Sequence, residues 1–284
     1  MGANNLRVIY QNLADLSTTT ITASTTASAS TPATNLQKDA KALVWRSTGN
    51  SATLTVSFGS SKTVRGVVLP FTNLLATSTI LVTPTGGTGT TSTGTVLACP
   101  YAQTDSWDSS YLPSGANSYA YGSGTYARAW FSTAQTCTGL TITLTETNLT
   151  YIEASRLIVG DYWSPTYNTS FGLTSAPKSL STTMRTESGD LITNRGTQYN
   201  TMTFDLAWLN PTDRQIFTKI LKSNGINKPL LISLFPNNGT STLDSTIDYD
   251  KEQTFQIYGK LSQLSDITHP MFTMYTAKVD IEEI

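Results

Sequence analysis

Residues 30–60 read STPATNLQKDAKALVWRSTGNSATLTVSFGS. Ala52, Leu54, Val56 and Phe58 alternate there with Thr53, Thr55 and Ser57, the period of two of a strand with one buried face. Just before it, Asn35 and Leu36 open a short turn or helical piece, and Val44 and Trp45 are expected inside. A tryptophan removes a large apolar area from water.

Upstream, Thr18, Thr20 and Thr22 alternate with Thr19, Ile21 and Ala23, which predicts a first strand, with a disordered arm as the alternative. Downstream, GSSK (59–62) predicts a turn, TVRGVVLPF (63–71) a second apolar strand and STILVTP (78–84) a third. The Gly and Thr of residues 83–95 mark a flexible hairpin tip. TGLTITLTET (138–147) turns Leu140, Ile142 and Leu144 inward, and EASRLIVGDYW (153–163) reads as another apolar strand. Strands at such short intervals, separated by turns, predict a β-sandwich.

The pattern changes near Trp163. SPTYNTSFGLTSAP (164–177) reads as a polar loop, MRTESGDLITNRG (184–196) as a hairpin turning at Ser188–Asp190, and QYNTMTFDLAWL (198–209) as a strand. One helix is predicted at about 211–224. Asn210 caps it, Pro211 takes its first position and Asp213 sits in its first turn. Ile216, Phe217, Ile220 and Leu221 give it one buried stripe, and Gly225 ends it. KPLLISLFP (228–236), TFQIYGKL (254–261) and MFTMYTAKVDIEEI (271–284) read as strands, the last with Tyr275, Ala277, Val279 and Ile281 on one face. This half predicts an α+β unit, an antiparallel sheet carrying one helix. The fold class is therefore mainly β, divided into an arm at 1–13, a sandwich at 14–162 and the α+β unit at 163–284.

The chain has 284 residues, enough for two cores. Only 13% of residues are charged and the net charge is −1, against about 25% charged in ordinary soluble domains. A near-neutral chain lacks the basic surface that nucleic-acid binding requires. No apolar run is long enough to span a membrane. MGANNLRVIYQNLADL lacks a basic segment leading into an apolar core, so no secretory signal is expected. Cys99 and Cys137 are too few for a disulfide scaffold or a zinc site. They are expected as free, partly buried thiols, with a cross-strand disulfide as the alternative.

TPATNL, Asp39, VWRS, the alternating strand and VRGVVL, in that order, resemble the galactose-binding-like (discoidin-like) jelly roll. The matching positions are Asn35, Leu36, Asp39, Trp45, Phe58, Gly66, Val67 and Leu69, and the resemblance covers about residues 14–162. It implies that Trp45 closes one end of the sandwich core and that Arg46 sits at the rim, paired to a loop carbonyl or carboxylate. Beyond residue 163, RTESGD, FDLAWLNPTDRQIF, NGINKPLLISLFP, IYGKL and VDIEEI are together similar to tail or baseplate proteins of tailed bacteriophages. That similarity implies a virion structural protein, which joins a jelly roll to an assembly domain. Its expected partners are copies of itself, in a ring, and other tail proteins.

Chemistry is sparse. His269, before Pro270, is the single histidine and is expected as an exposed turn residue. No nucleophile elbow or phosphate loop occurs. Asp105 and Asp108 flank Trp107, but a carboxylate pair at that spacing in a turn is more often turn chemistry than a glycosidase dyad. Lys38 and Lys41 around Asp39 disfavour a calcium ion there. Asp244, Asp248 and Asp250 lack the spacing of a calcium loop. No enzyme activity, cofactor or metal is expected. The candidate interface residues are Trp107, Tyr111, Tyr119, Tyr121 and Tyr126, aromatics among small residues of one long loop, suited to protein contact or to sugar stacking. Recognition of host-surface glycans through this loop is the alternative function.

Overall fold

The computed structural model describes residues 5–99, 124–194, 196–236 and 249–284. It is mainly β, with two large antiparallel sheets. The chain starts with β1 (Arg7–Ile9), then builds the first sheet from β2 (Thr20–Ala23), β3 (Trp45–Arg46), β4 (Ser51–Thr72), β5 (Thr79–Thr85), β6 (Thr95–Leu97), β7 (Thr125–Thr145), β8 (Glu153–Ala154) and β9 (Ile158–Gly160). The second half holds β10 (Thr174–Ser179), β11 (Thr182–Arg185), β12 (Leu191–Asn194), β13 (Gln198–Leu209), α1 (Pro211–Asn224) and β14 (Leu230–Ser233). It ends with α2 (Tyr249–Thr254), β15 (Gln256–Leu261), β16 (Ile267–Met271) and β17 (Met274–Glu283).

The first sheet hangs on one long ribbon. β4 pairs with β7 from Ser51↔Thr145 to Thr72↔Thr125, with register shifts between Ser57 and Lys62, Val64 and Gly66, and Leu69 and Thr72. Such irregularities bend a strand and let it pass from one layer to another. Leu54, Val56 and Phe58 from the first part of β4 share one core with Val67 and Leu69 from its last part, and with Leu140, Ile142 and Leu144 of β7. The ribbon therefore folds over itself as a sandwich. The turn expected at GSSK is instead a bulged part of the continuous β4. Its neighbours on both sides are paired in the same ladder, so the chain bends there without reversing. The single strand expected at 153–163 is likewise split into β8 and β9, which pair with β4 at separate places.

The second sheet runs β1-β14-β15-β17-β13-β10, with β16 added beside β17. Residues 7–9, expected within an N-terminal arm, are thus an edge strand of the far sheet, paired Arg7↔Ser233 to Ile9↔Leu231. Alternation in these strands serves two layers. Val8, Ile232 and Ile257 join a core with Phe217 and Ile220 of α1. Ile9, Leu231 and Tyr258 point the other way and join Val68, Phe71, Tyr126, Trp130 and Ile158 of the sandwich. The order of layers is helix, second sheet, then the two layers of the sandwich. Both faces of the 64–72 segment are consequently covered, which is why its apolar run is nearly continuous. Gly66 is needed at this junction, since a Cβ there would lie 2.4 Å from the Trp130 ring.

Other departures are local. Pro177, expected in a loop, lies in β10 at the open edge of the sheet, where a missing N–H costs nothing. The last strand expected from 271 begins at Met274, after a turn with Thr273 at φ 70, and His269 lies in β16 instead of a turn. α1 has the expected bounds, with Asp213 N donating to Asn210 Oδ1 at 2.8 Å. A second short helix, α2, was not foreseen.

That helix delivers the most buried ion pair among the described residues. Arg128 on β7 and Glu252 on α2, each 1% exposed, make two 2.7 Å hydrogen bonds, Nε to Oε1 and Nη2 to Oε2. A planar bidentate pair of this kind keeps its geometry, but one partner alone would be an uncompensated buried charge. Glu252→Leu is expected to lower stability by about 3–5 kcal/mol, and Arg128→Met combined with it to recover most of that loss. Urea denaturation of the parent, single and double variants checks this, and a single variant as stable as the parent would contradict it.

Candidate functional site

Of the five loop aromatics, Trp107, Tyr111, Tyr119 and Tyr121 lie outside the described residues, as do Asp105, Asp108, Asp244 and Asp248. Tyr126 is described, and it corrects the expectation of a surface residue. It is buried between the sandwich and the second sheet, 5.7 Å from the Phe71 ring, and its hydroxyl accepts from Tyr258 N at 3.0 Å. It is an internal contact because β7 starts on the face that the second sheet covers. Burial pushes its phenol well above the usual range. Trp45 is fully buried and its indole N–H donates to the Thr25 carbonyl at 3.1 Å. Arg46 Nε donates to Glu153 Oε2 at 2.7 Å, and its guanidinium lies 4.5 Å from the Tyr151 ring centroid. Cys99 and Cys137 are buried free thiols. His269 stacks on Tyr275 with ring centroids 4.5 Å apart.

The junction between the two sheets is knit by charges that sequence reasoning passed over. Arg156 Nη2 donates to Asp15 Oδ2 at 2.7 Å and lies 3.0 Å from Asp39 Oδ1. Its Nε donates to the Tyr258 hydroxyl at 3.1 Å, and that hydroxyl donates to Asp39 at 2.8 Å. Asp39 is thus a latch between the two units. Arg7 is held between the Trp130 and Tyr162 rings, 4.8 Å from each centroid, and burial lowers its pKa. Lys41 lies 3.4 Å from Glu283 and 4.3 Å from the Phe71 ring centroid. Phe71 reaches that face through a φ of 58, a strained conformation for a bulky residue. In a chain so poor in charge, an arginine amid apolar neighbours, as in TYARAWF, was the available signal.

The candidate docking surface lies elsewhere, in the β11–β12 hairpin. It forms a two-stranded sheet of its own, and every residue of both strands is exposed. Its turn is well specified: Thr186 N donates to Asp190 O at 2.9 Å, Ser188 bonds Asp190, and Gly189 supplies a φ of +90. Met184 and Ile192 face each other across the ladder, and Leu191 pairs with Arg185. Met184 is 66% exposed and Leu191 59%. Near the base, Leu180 N donates to Thr197 O at 2.9 Å, so β10–β11 and β12–β13 continue one another across a short break. An isolated two-stranded hairpin is marginal in water. Among the described residues, the large exposed apolar side chains lie, except for Leu16 and Leu43, beyond residue 163, and they include Phe171 and Phe272.

Glu283 gives the junction a pH dependence. Burial pushes its carboxyl up, against the opposing pull of Lys41. The folded state then binds more protons than the unfolded chain from about pH 4.3 upward. The stability this group contributes is full below that value and is lost as pH rises through the raised pKa. Glu283→Gln removes the effect, so the variant is expected to gain stability relative to the parent between about pH 4.3 and 7. Urea midpoints across that range check this, and a pH-independent difference would contradict it.

No family model matches the chain, and no curated protein does. Solved structures do. One is chitosan-binding module 1 from a chitosanase/glucanase of Paenibacillus sp. IK-5, with 22% identity, a TM-score of 0.36 and coverage of 53% of this chain and 99% of that one. Another is the family 32 carbohydrate-binding module of Clostridium perfringens NanJ in complex with galactose, with 12% identity, a TM-score of 0.36 and coverage of 56% and 99%. A third is a Ruminococcus gnavus GH29 fucosidase in complex with fucose, with 14% identity and a TM-score of 0.37; 56% of this chain matches 28% of that one. TM-scores this low lend no argument about function, and the assignment of the sandwich rests on the strand pairing and core described above.

Proposed function

We propose that this protein is a structural component of a bacteriophage tail tip or baseplate, and that it works through symmetric association with copies of itself and with neighbouring proteins, without catalysis. The observation that supports this best is the β11–β12 hairpin: ordered at its turn, exposed along both strands, and carrying Met184, Leu191 and Ile192 into solvent. Met184 and Ile192 make one exposed cross-strand apolar pair, with Leu191 on the opposite face of the ladder, and uncovered apolar pairs of this kind support a contact surface. Among the described residues, most large exposed apolar side chains lie beyond residue 163, which supports association through the second unit. The phage setting comes from the layout of sequence segments in that unit.

A second reading is recognition of surface glycans. A cleft of about 420 Å³ whose lining includes Tyr10, Gln11, Thr63 and Lys219 favours it. Solved modules of similar strand layout bind chitosan or galactose, though their low TM-scores add no weight.

The purified chain is expected to form a closed oligomer, or to join particles that lack it, by light scattering and sedimentation. Met184→Ser with Ile192→Ser is expected to abolish association while shifting stability by less than about 0.5 kcal/mol, as surface changes do. A chain that stays monomeric and never joins a particle would defeat the assembly reading. So would unchanged association of the double variant, for the hairpin's part in it.

A further inference from the structure

We infer that the β11–β12 hairpin of one copy docks, head to tail, on the corner between α1 and β14 of a second copy. The inference rests on the assembly reading above and adds the receiving surface and the hairpin face that meets it. The two faces of the hairpin differ. Met184 pairs with Ile192 on one face, while Arg185 pairs with Leu191 on the other. Thr186 N donates to Asp190 O at 2.9 Å, so the alternation carries Asp190 to the face of Met184 and Ile192. Glu187 and Asp190 are exposed and form no ion pair among the described residues. One face is thus apolar with an acidic end, and the other carries a cation.

The corner complements the first face. Residues 211–229 contain Arg214, Lys219, Lys222 and Lys228 against a single acid, Asp213. Asp213 is buried and accepts from Thr166 N at 2.9 Å, so it does not offset the lysines at the surface. Lys222 and Lys228 are exposed and form no ion pair among the described residues. Between them in sequence lies Ile226, 50% exposed. The turn that presents it is held in place: Gly225 takes a φ of 55, Lys228 N donates to Asn224 O at 3.1 Å, and Asn224 Nδ2 donates to Tyr10 O at 2.8 Å. An ordered receiving surface keeps the cost of binding low. Charge selects the face, since docking through the other side would set Arg185 against lysines.

Placement keeps the two surfaces apart within one chain. The hairpin leaves the second sheet at β10, and the corner leads into β14, four strands away, or roughly 19 Å at the usual strand spacing. The β10–β13 ladder runs from Thr174↔Thr203 to Ser179↔Gln198 and continues through Leu180 into the hairpin. The hairpin therefore extends away from Leu209, the end of β13 from which α1 departs. Complementary surfaces at opposite edges of one chain meet between copies as a heterologous contact. Such contacts close into a ring when the rotation per copy divides a full turn.

The test follows self-association of the full chain by sedimentation velocity at low salt. The parent chain is expected to associate. Glu187→Lys with Asp190→Lys, and separately Lys222→Glu with Lys228→Glu, are each expected to weaken association at least tenfold with an unchanged melting midpoint. An equimolar mixture of these two variants is expected to restore it, because every hairpin then meets a corner of opposite charge. Arg185→Gln, on the other face, is expected to leave association within twofold of the parent. Association that survives both charge reversals, or that mixing fails to restore, would overturn the head-to-tail contact and leave the assembly reading standing. A chain that is monomeric alone yet joins particles that lack it would do the same. A chain that neither associates nor joins a particle would overturn both.

Discussion

The outer face of the β4–β7–β9 layer is apolar, and the architecture follows from the need to cover it. Val68, Phe71, Tyr126, Trp130 and Ile158 could not remain in water at the end of an isolated sandwich. The row Ile9, Leu231 and Tyr258, one residue from each of three neighbouring strands, provides the cover. Because that row includes β1, the chain must begin in the second sheet, cross to build the sandwich and then return. The two units are therefore interleaved in sequence and share one packed boundary. Polar groups caught at this boundary are paired in place: Arg128 with Glu252, Arg156 with Asp15 and Asp39, and Lys41 with Glu283. Removing one partner of a buried pair leaves an uncompensated charge, so the boundary depends on each pair staying complete.

Elements that obey one simple period were legible in the sequence. The alternation of residues 52–58 and 140–144, the capped α1 and the turn at Ser188–Asp190 are all set by local rules, and these rules hold in the structure. The elements that were misjudged depend on distant neighbours. GSSK has the composition of a turn, but its flanks are held in one ladder by β7, and tertiary pairing overrides local preference. LRVIY is too short to announce a strand, and only the second sheet makes it one. Tyr126 has the character of an interface residue and is one, but its interface is internal. The continuous apolar run of 63–71 already implied two covered faces, although it does not say what covers the second.

The site was less legible than the fold. Arg156, Asp39 and Tyr258 are far apart in sequence and acquire meaning only when the two sheets meet. The outer face of the sandwich is covered by the second sheet, and among the described residues the large apolar side chains left in solvent lie mostly beyond residue 163. Among the described residues, an exposed hairpin of this kind suits the proposed assembly, in which a neighbour completes the element.

Amide hydrogen exchange of residues 182–194, read in the free chain and again in the assembled particle, distinguishes a docking hairpin from an idle one. Fast exchange is expected in the free chain, while β14 and β15 are protected, and strong protection of the hairpin on assembly. A hairpin that exchanges equally fast in the particle, or that is already as protected in the monomer as β14, would contradict it.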